Sequence, residues 1–496
     1  MPIFKGKRGV STDRHLADPD RRADDACATF SVVRNASFKT LGSVVGAVVL
    51  GLVAAPRAAH ANGRFPESNA IFFAPNDPDV VLLRTTFGLV TSRDRGKTWD
   101  WVCERSVGLA GVEDPMYEVT PDGTMLSSTF QGLAVSRDRA CNWSYVGGEL
   151  KDLVFIDLAS RPSTPTNVVA FASSYDGQDD AGAIFFKSLL FETKDEGKNF
   201  AALGPGLDPT LLGSTVDVTP SDPDRIYVSA KRNPGTAATA VLLTSKDHGK
   251  TFEENPITLI SPENGAFIAA VDPLNADRLY VRTSSATDMP SRLLVSDDAG
   301  KNFRTVFTGQ GSLAGFALSP DGRKVWVGGR RDGLRVASTT DFAFTQKSTV
   351  EVQCLKLATD GLWTCSTERS GFVVGLSKDE GATFETKLRF CDIRGPLACP
   401  VGSTTHTECT LGGTTSMASP PWPQQQATLG CSDGERDADA GGGDGSVDGS
   451  IPPLAPDGGG GGCACTVQSP PPAPFAALLA GLGAASAFVR RRRRSR

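Results

Sequence analysis

Carboxylates, arginines and tyrosines are the side chains in this sequence from which an active site could be built. Paired carboxylates would serve glycoside hydrolysis, in which one protonates the leaving oxygen and the other attacks or activates water. Glu113-Asp114 is an adjacent acidic pair, equally suited to a solvated loop. The five tyrosines are Tyr117, Tyr145, Tyr175, Tyr227 and Tyr280. Tyr227 and Tyr280 recur at matching places in apolar runs, which marks them as core residues. No G-x-S-x-G nucleophile motif is present. The four histidines are His15, His60, His248 and His406, and no Cys-x-x-Cys pair precedes residue 463. Zinc chemistry is therefore not expected. The sequence supplies no catalytic constellation, cofactor motif or metal set.

What does repeat is a short loop. Ser92, Asp94, Gly96, Thr98 and Trp99 spell S-x-D-x-G-x-T-W. Ser245, Asp247, Gly249, Thr251 and Phe252 repeat it, as do Ser377, Asp379, Gly381, Thr383 and Phe384. Two copies carry asparagine in place of the threonine: Thr193, Asp195, Gly197, Asn199, Phe200 and Ser296, Asp298, Gly300, Asn302, Phe303. Two are worn. Around Asp138, Ala140 replaces the glycine while Ser136 and Trp143 remain, and around Asp341 only Thr339, Ala343 and Thr345 approach the pattern. Short Ser and Asp side chains can bond turn N–H groups. Glycine can take a positive φ, a β-branched Thr restarts a strand, and an aromatic ring covers the turn. The seven aspartates are 44, 57, 52, 51, 43 and 38 residues apart. Apolar runs split by Asp77-Pro-Asp, Asp222-Pro-Asp and Asn275-Ala-Asp precede three of the loops and read as hairpins. Four strands per period predict an all-β, seven-bladed propeller with four-stranded blades.

At these loops the chain resembles the Asp-box (BNR) repeat family, over about residues 65–391. That family includes sialidases, sortilin-type receptor domains, photosystem assembly factors and some glycoside hydrolases. The resemblance implies a propeller whose boxes are structural turns at the outer edge of each blade. It implies no activity, because one fold hosts unrelated functions. Arg64-Phe65-Pro66 echoes the arginine motif of sialidases, but those enzymes have six blades and this chain has seven boxes.

The regions outside the repeats concern export and display. Arg34, Lys39, an apolar run from Leu41 to Ala55 and Ala59-His60-Ala61 form a signal peptide behind an over-long leader, residues 1–61. An uncleaved anchor is the alternative. Residues 62–391 are the propeller, and residues 392–432 are a Cys-containing cap. Asp, Gly, Ser and Pro dominate residues 433–462, a disordered linker. Residues 463–496 hold Cys463 and Cys465, an apolar segment from Phe475 to Val489 and the arginines 490–494. This tail resembles the MYXO-CTERM sorting signal of myxobacteria. The resemblance implies recognition by a membrane protease, removal of the short hydrophobic helix, and display on the outer surface. A plain tail anchor is the alternative.

Eight of the eleven cysteines fall between the leader and residue 432, an even number suited to disulfides in an exported chain. The expected pairs are Cys103–Cys141 and Cys354–Cys365, with Cys391, Cys399, Cys409 and Cys431 bonded among themselves. The insertion at residues 173–182 is polar and reads as a long loop of the third blade. Residues 62–462 hold 36 Lys/Arg and 51 Asp/Glu, a net charge of −15. Such a surface repels phosphate backbones, so nucleic acid is not an expected partner. The sequence as a whole predicts an exported binding module for an envelope or matrix protein or glycan. A sialidase-like or other glycoside hydrolase is the alternative.

Overall fold

The computed structural model describes residues 65–109, 113–161, 163–234, 238–285, 289–411 and 420–431. The expected signal peptide, the expected linker, the apolar tail and Cys463 and Cys465 lie outside them. Seven four-stranded antiparallel sheets form the seven blades, each built from four consecutive strands. The strands are the apolar runs of the sequence, and the bends between them carry the Pro, Asp and Gly residues that end a ladder. In blade 4, Ile226–Arg232 pairs on one side with Leu211–Val218 and on the other with Thr239–Ser245. Tyr227 and Tyr280 are fully buried in such second strands. Among the described residues no helix is long and apolar enough to cross a membrane.

The ring closes without exchanging a strand. The first strand of blade 1 (Ser68–Phe73) packs directly against the first strand of blade 7 (Cys354–Ala358). Ser68 Oγ donates to the Val373 carbonyl across this seam (2.8 Å), and Trp99 Nε1 to the Lys387 carbonyl (2.9 Å). Arg95 forks onto Asp360 (2.6 and 2.9 Å) and lies over the rings of Phe73 and Trp363.

Two expectations are corrected here. Residues 173–182 do not form a loose loop. Blade 3 has long second and third strands, Thr164–Gln178 and Ile184–Thr193, paired out to a tight turn at Asp179–Ala183. Asp179 Oδ1 accepts the Ala181 and Ala183 N–H groups and so ends the ladder. Local polarity hid a strand whose pairing partner was itself long.

The cysteine scheme is the second. Cys354–Cys365 forms as expected, across a directly paired position of two strands. Cys391–Cys431 forms within the cap. Cys103 bonds Cys409 and Cys141 bonds Cys399, in place of Cys103–Cys141 and a self-contained cap. The cap is laid along the outer edge of blade 1. Trp101 N donates to the Gly395 carbonyl (2.7 Å), Leu397 N to the Trp101 carbonyl (2.8 Å), and Arg394 N to the Trp99 carbonyl (3.0 Å). This path carries the chain from blade 7 over blade 1 to blade 2. It sets Cys409 against the start of a short helix, α1 (Glu104–Val107), and Cys399 against the second repeated loop. A second helix, α2 (Trp422–Thr428), seats Trp422 against Trp101 at 5.2 Å between ring centroids. The clasp thus bonds covalently to both blades that follow the seam.

Candidate functional site

Successive antiparallel strands place their connections alternately at the two ends of a blade. One face of the ring therefore holds the first-to-second-strand turns and the repeated loops. The other holds the second-to-third-strand turns and the crossings between blades.

On the repeat face every sequence-identified aspartate makes turn bonds. In the first loop Ser92 Oγ donates to Asp94 Oδ1 (2.8 Å) and accepts the Gly96 N–H (2.8 Å). Asp94 also accepts the Thr98 N–H (2.9 Å) and the Thr98 hydroxyl (2.6 Å). Asp247 with Thr251 and Asp379 with Thr383 repeat the set, and Asp195 with Asn199 and Asp298 with Asn302 do so through the Asn amide. Hydrogen bonds from Thr251 and Thr383 hold Asp247 and Asp379 down at about 2, and those from Asn199 hold Asp195 there.

The turn needs two consecutive positive-φ residues, for instance Glu196 (63°) and Gly197 (78°). Glycine has a second reason that the sequence did not show. A Cβ on Gly381 would meet Leu334 of blade 6 at 1.9 Å, and one on Gly300 would meet Leu242 of blade 4 at 2.1 Å. Gly96, Gly197 and Gly249 are likewise close to neighbouring-blade side chains. Trp99 is buried, with Nε1 also directed at the Gly96 carbonyl.

The second loop keeps its geometry despite its worn sequence. Ser136 donates to Asp138 (3.0 Å), and Asp138 accepts from Asn142 N and Nδ2 (2.8 and 2.6 Å). Asn142 is the unnoticed fourth partner, and Ala140 takes φ 71° in the glycine's place. Trp143 is buried against Tyr117, and its backbone N–H donates to the Thr404 hydroxyl of the cap. The loop at Asp341 is the true exception. Its carboxylate accepts only the Ala343 N–H (3.1 Å), and Phe342 and Phe344 fill the turn with rings.

A second group of carboxylates sits on the innermost strands of the blades, and the sequence reading missed it. The first strands of blades 2, 3 and 4 contribute Glu118, Asp157 and Asp217. Asp157 is 5% exposed and bridges two blades, accepting the Leu158 N–H (2.9 Å) and, from blade 4, the Val216 N–H (2.8 Å). Burial nevertheless pushes its carboxyl up to about 8. Asp217 and Glu118 are only partly exposed, and the surrounding walls withhold most of their solvation. Desolvation raises Asp217 to about 6 and raises Glu118. Between the innermost strands lies a cavity of about 340 Å³ lined in part by Ser160, Asp217, Phe316 and Lys356. The available signal was an acid set inside an apolar run, as in Ile156-Asp-Leu and Val216-Asp-Val. Among the described residues no group of three or more His, Cys, Asp or Glu is arranged to hold a metal ion.

The opposite face is irregular. It carries the blade 3 hairpin, with Tyr175 57% exposed and set edge-on to Phe186. Phe130, Ile260 and Met289 are exposed on turns and crossings of the same face. A cavity of about 220 Å³ lies beside Phe130, between Glu113, Pro115, Phe155 and Ile156. Glu113 itself is buried and accepts the Phe130 N–H, so it is not part of a solvated loop.

No protein-family model matches the chain, and no curated protein matches it. Among solved structures it is similar to an ancestral GH74 enzyme at 13% identity and a TM-score of 0.46, over 65% of this chain and 46% of that one. It is similar to the extracellular domain of a one-component system protein from B. thetaiotaomicron at 12% identity and 0.42, over 61% and 37%. YCF48 from Cyanidioschyzon merolae aligns at 14% identity and 0.40, over 60% of this chain and 92% of its own. At such identities the likeness concerns the fold alone.

Proposed function

We propose that this protein is an exported, surface-displayed propeller that acts by binding an extracellular protein or glycan of the envelope or matrix. The supporting observation is the difference between its two faces. The repeat face ties its polar side chains into turns, while the opposite face presents irregular connections and the exposed Phe130, Tyr175, Ile260 and Met289. Variable loops on a rigid scaffold, with apolar side chains left in water, are the usual make-up of a recognition surface. Disulfides between cap and blades fit an oxidising compartment. The aspartates of the repeated loops are structural in this reading. Residues 1–61 direct export, and the apolar tail from Phe475 onward is removed by a protease acting near Cys463 and Cys465.

The test is a protein and glycan array read with residues 62–432, wild type beside a Phe130→Ala/Tyr175→Ala variant. A ligand retained by the wild type and lost by the variant is expected. A ligand held equally by both would move the site off this face.

A further inference from the structure

We infer a second binding surface, on the repeat face between blades 6 and 7, for a carboxylate-bearing polysaccharide. The first observation is charge. Residues 309–350, which make blade 6, carry six Lys/Arg and three Asp/Glu. Every other blade has more acids than bases, for instance residues 113–150 with six against two. Blade 6 is thus a net-cationic blade in an acidic ring, with Arg323, Lys324 and Lys347 at its repeat-face groove and Arg330 and Arg331 on the turn at the other end. A local field of opposite sign to the rest of the molecule steers an anion to one place.

The second observation is shape. Blade 6 is also where the repeated loop is lost, and a groove of about 370 Å³ opens there. Its lining includes Arg323, Lys324 and Lys347, with Glu380 of blade 7 as its one carboxylate. Glu380 pairs with Lys324 and, at 3.1 Å, with Lys347. Such water-exposed pairs contribute little, about 0–1 kcal/mol, so an arriving carboxylate can take over either lysine. Arg323 is exposed, and the adjacent Asp321 is engaged with the Ser319 hydroxyl and the turn amide of Arg323.

The lining also separates a glycan from an acidic protein. Between the bases lie Ser338, Ala343 and Thr345, short and mostly hydroxylated. No large exposed apolar side chain is available there to anchor a protein partner, whose binding energy concentrates in buried aromatic and aliphatic groups. Hydroxyls beside spaced cations suit sugar hydroxyls beside spaced carboxylates.

The experiment uses the mature exported protein on immobilised polygalacturonate, with neutral dextran and polyglutamate as companion surfaces. Retention on polygalacturonate at about 50 mM salt, falling steeply by about 300 mM, is expected. The variant Arg323→Ala/Lys324→Ala/Lys347→Ala should lose about tenfold in affinity or more. Lys97→Ala/Lys250→Ala/Lys301→Ala removes the same charge from exposed positions of blades 1, 4 and 5 and should bind as wild type does. Equal loss in both variants would make the attraction a property of net charge and overturn the site. Absence of wild-type retention would overturn it too. Polyglutamate held as tightly, and released by the same variant, would replace the glycan with a protein. The Phe130→Ala/Tyr175→Ala variant should keep polygalacturonate binding, which separates this surface from the opposite face.

Discussion

Asp195 and Asp157 are the same chemical group at two places in one blade, and the protein drives them in opposite directions. Asp195 sits in the repeated loop with water beside it. The Asn199 amide, the Asn199 N–H and the Thr193 hydroxyl all donate to it, and it is held at about 2. Asp157 also accepts two backbone N–H bonds, yet burial pushes it up to about 8. Donors favour the charged form in both. What differs is whether water is also present, and at Asp157 the lost solvation outweighs two amide bonds. A repeated aspartate therefore stabilises its turn as an anion, while burial works against the charged form of the aspartate that bridges two blades.

Replacing each by alanine should show unequal costs. Asp157→Ala strips the partner from two buried N–H groups, Leu158 and Val216, at the junction of blades 3 and 4. An unsatisfied buried group costs about 1–3 kcal/mol, so a loss of about 2–6 kcal/mol is expected in denaturant unfolding. Asp94→Ala opens bonds that water can reach, and about 1–2 kcal/mol is expected. Equal costs would mean that the surroundings of Asp157 are wetter than their geometry implies.

Acid and alkali should then separate the two groups. For Asp157 and Asp217 the folded pKa lies above the unfolded one. Their contribution is complete below about pH 4 and is lost as pH rises through about 6 for Asp217 and about 8 for Asp157. For Asp195, Asp247 and Asp379 the folded pKa lies below. Their contribution is present above about pH 4 and is lost as pH falls towards 2. Melting temperature against pH should bend at both ends. Asp217→Asn should flatten only the limb between about pH 4 and 6, and Asp195→Asn only the acid limb. An Asp217→Asn profile that superimposes on the wild type would assign that limb to other groups.

Legibility in the sequence followed the same division. Repetition exposed the loops, because six similar turns and one worn copy restate one local solution, and blade count and strand order follow from their spacing. The carboxylates of the innermost strands occur once each, so Asp157 and Asp217 read as stray acids in apolar strands. Their meaning depends on the closed ring that brings blades 2, 3 and 4 around one axis. The cap failed for a similar reason. Cys103 and Cys141 lie close in sequence but on different blades, and their partners are set by where residues 394–397 run along the edge of blade 1. Cys354–Cys365 was readable because one hairpin fixes it. Non-reducing peptide mapping should recover Cys103–Cys409 and Cys141–Cys399, and a Cys103–Cys141 peptide would remove the clasp.

The smallest effect belongs to the loop that has lost its pattern. Asp341 accepts a single amide, from Ala343, at an exposed position, whereas Asp94 accepts from a hydroxyl and an amide of Thr98 and from Ser92. In blade 6 the turn is held from inside, by Phe342 against Tyr280 and Phe344 and by Arg304 over the Phe342 ring at 5.0 Å. Ring packing, with bonds from the Thr340 and Phe342 N–H groups to Ser338, has taken over the aspartate's part there, so the carboxylate has little left to hold. Asp341→Ala should change stability by no more than about 0.5 kcal/mol, while Phe342→Ala at the next residue should cost about 3–5 kcal/mol in the manner of a buried aromatic truncation. Paired thermal melts of the two variants decide it. A large loss from Asp341→Ala would mean that the worn loop still depends on its aspartate, and the contrast between aspartate-held and ring-packed turns would fall with it.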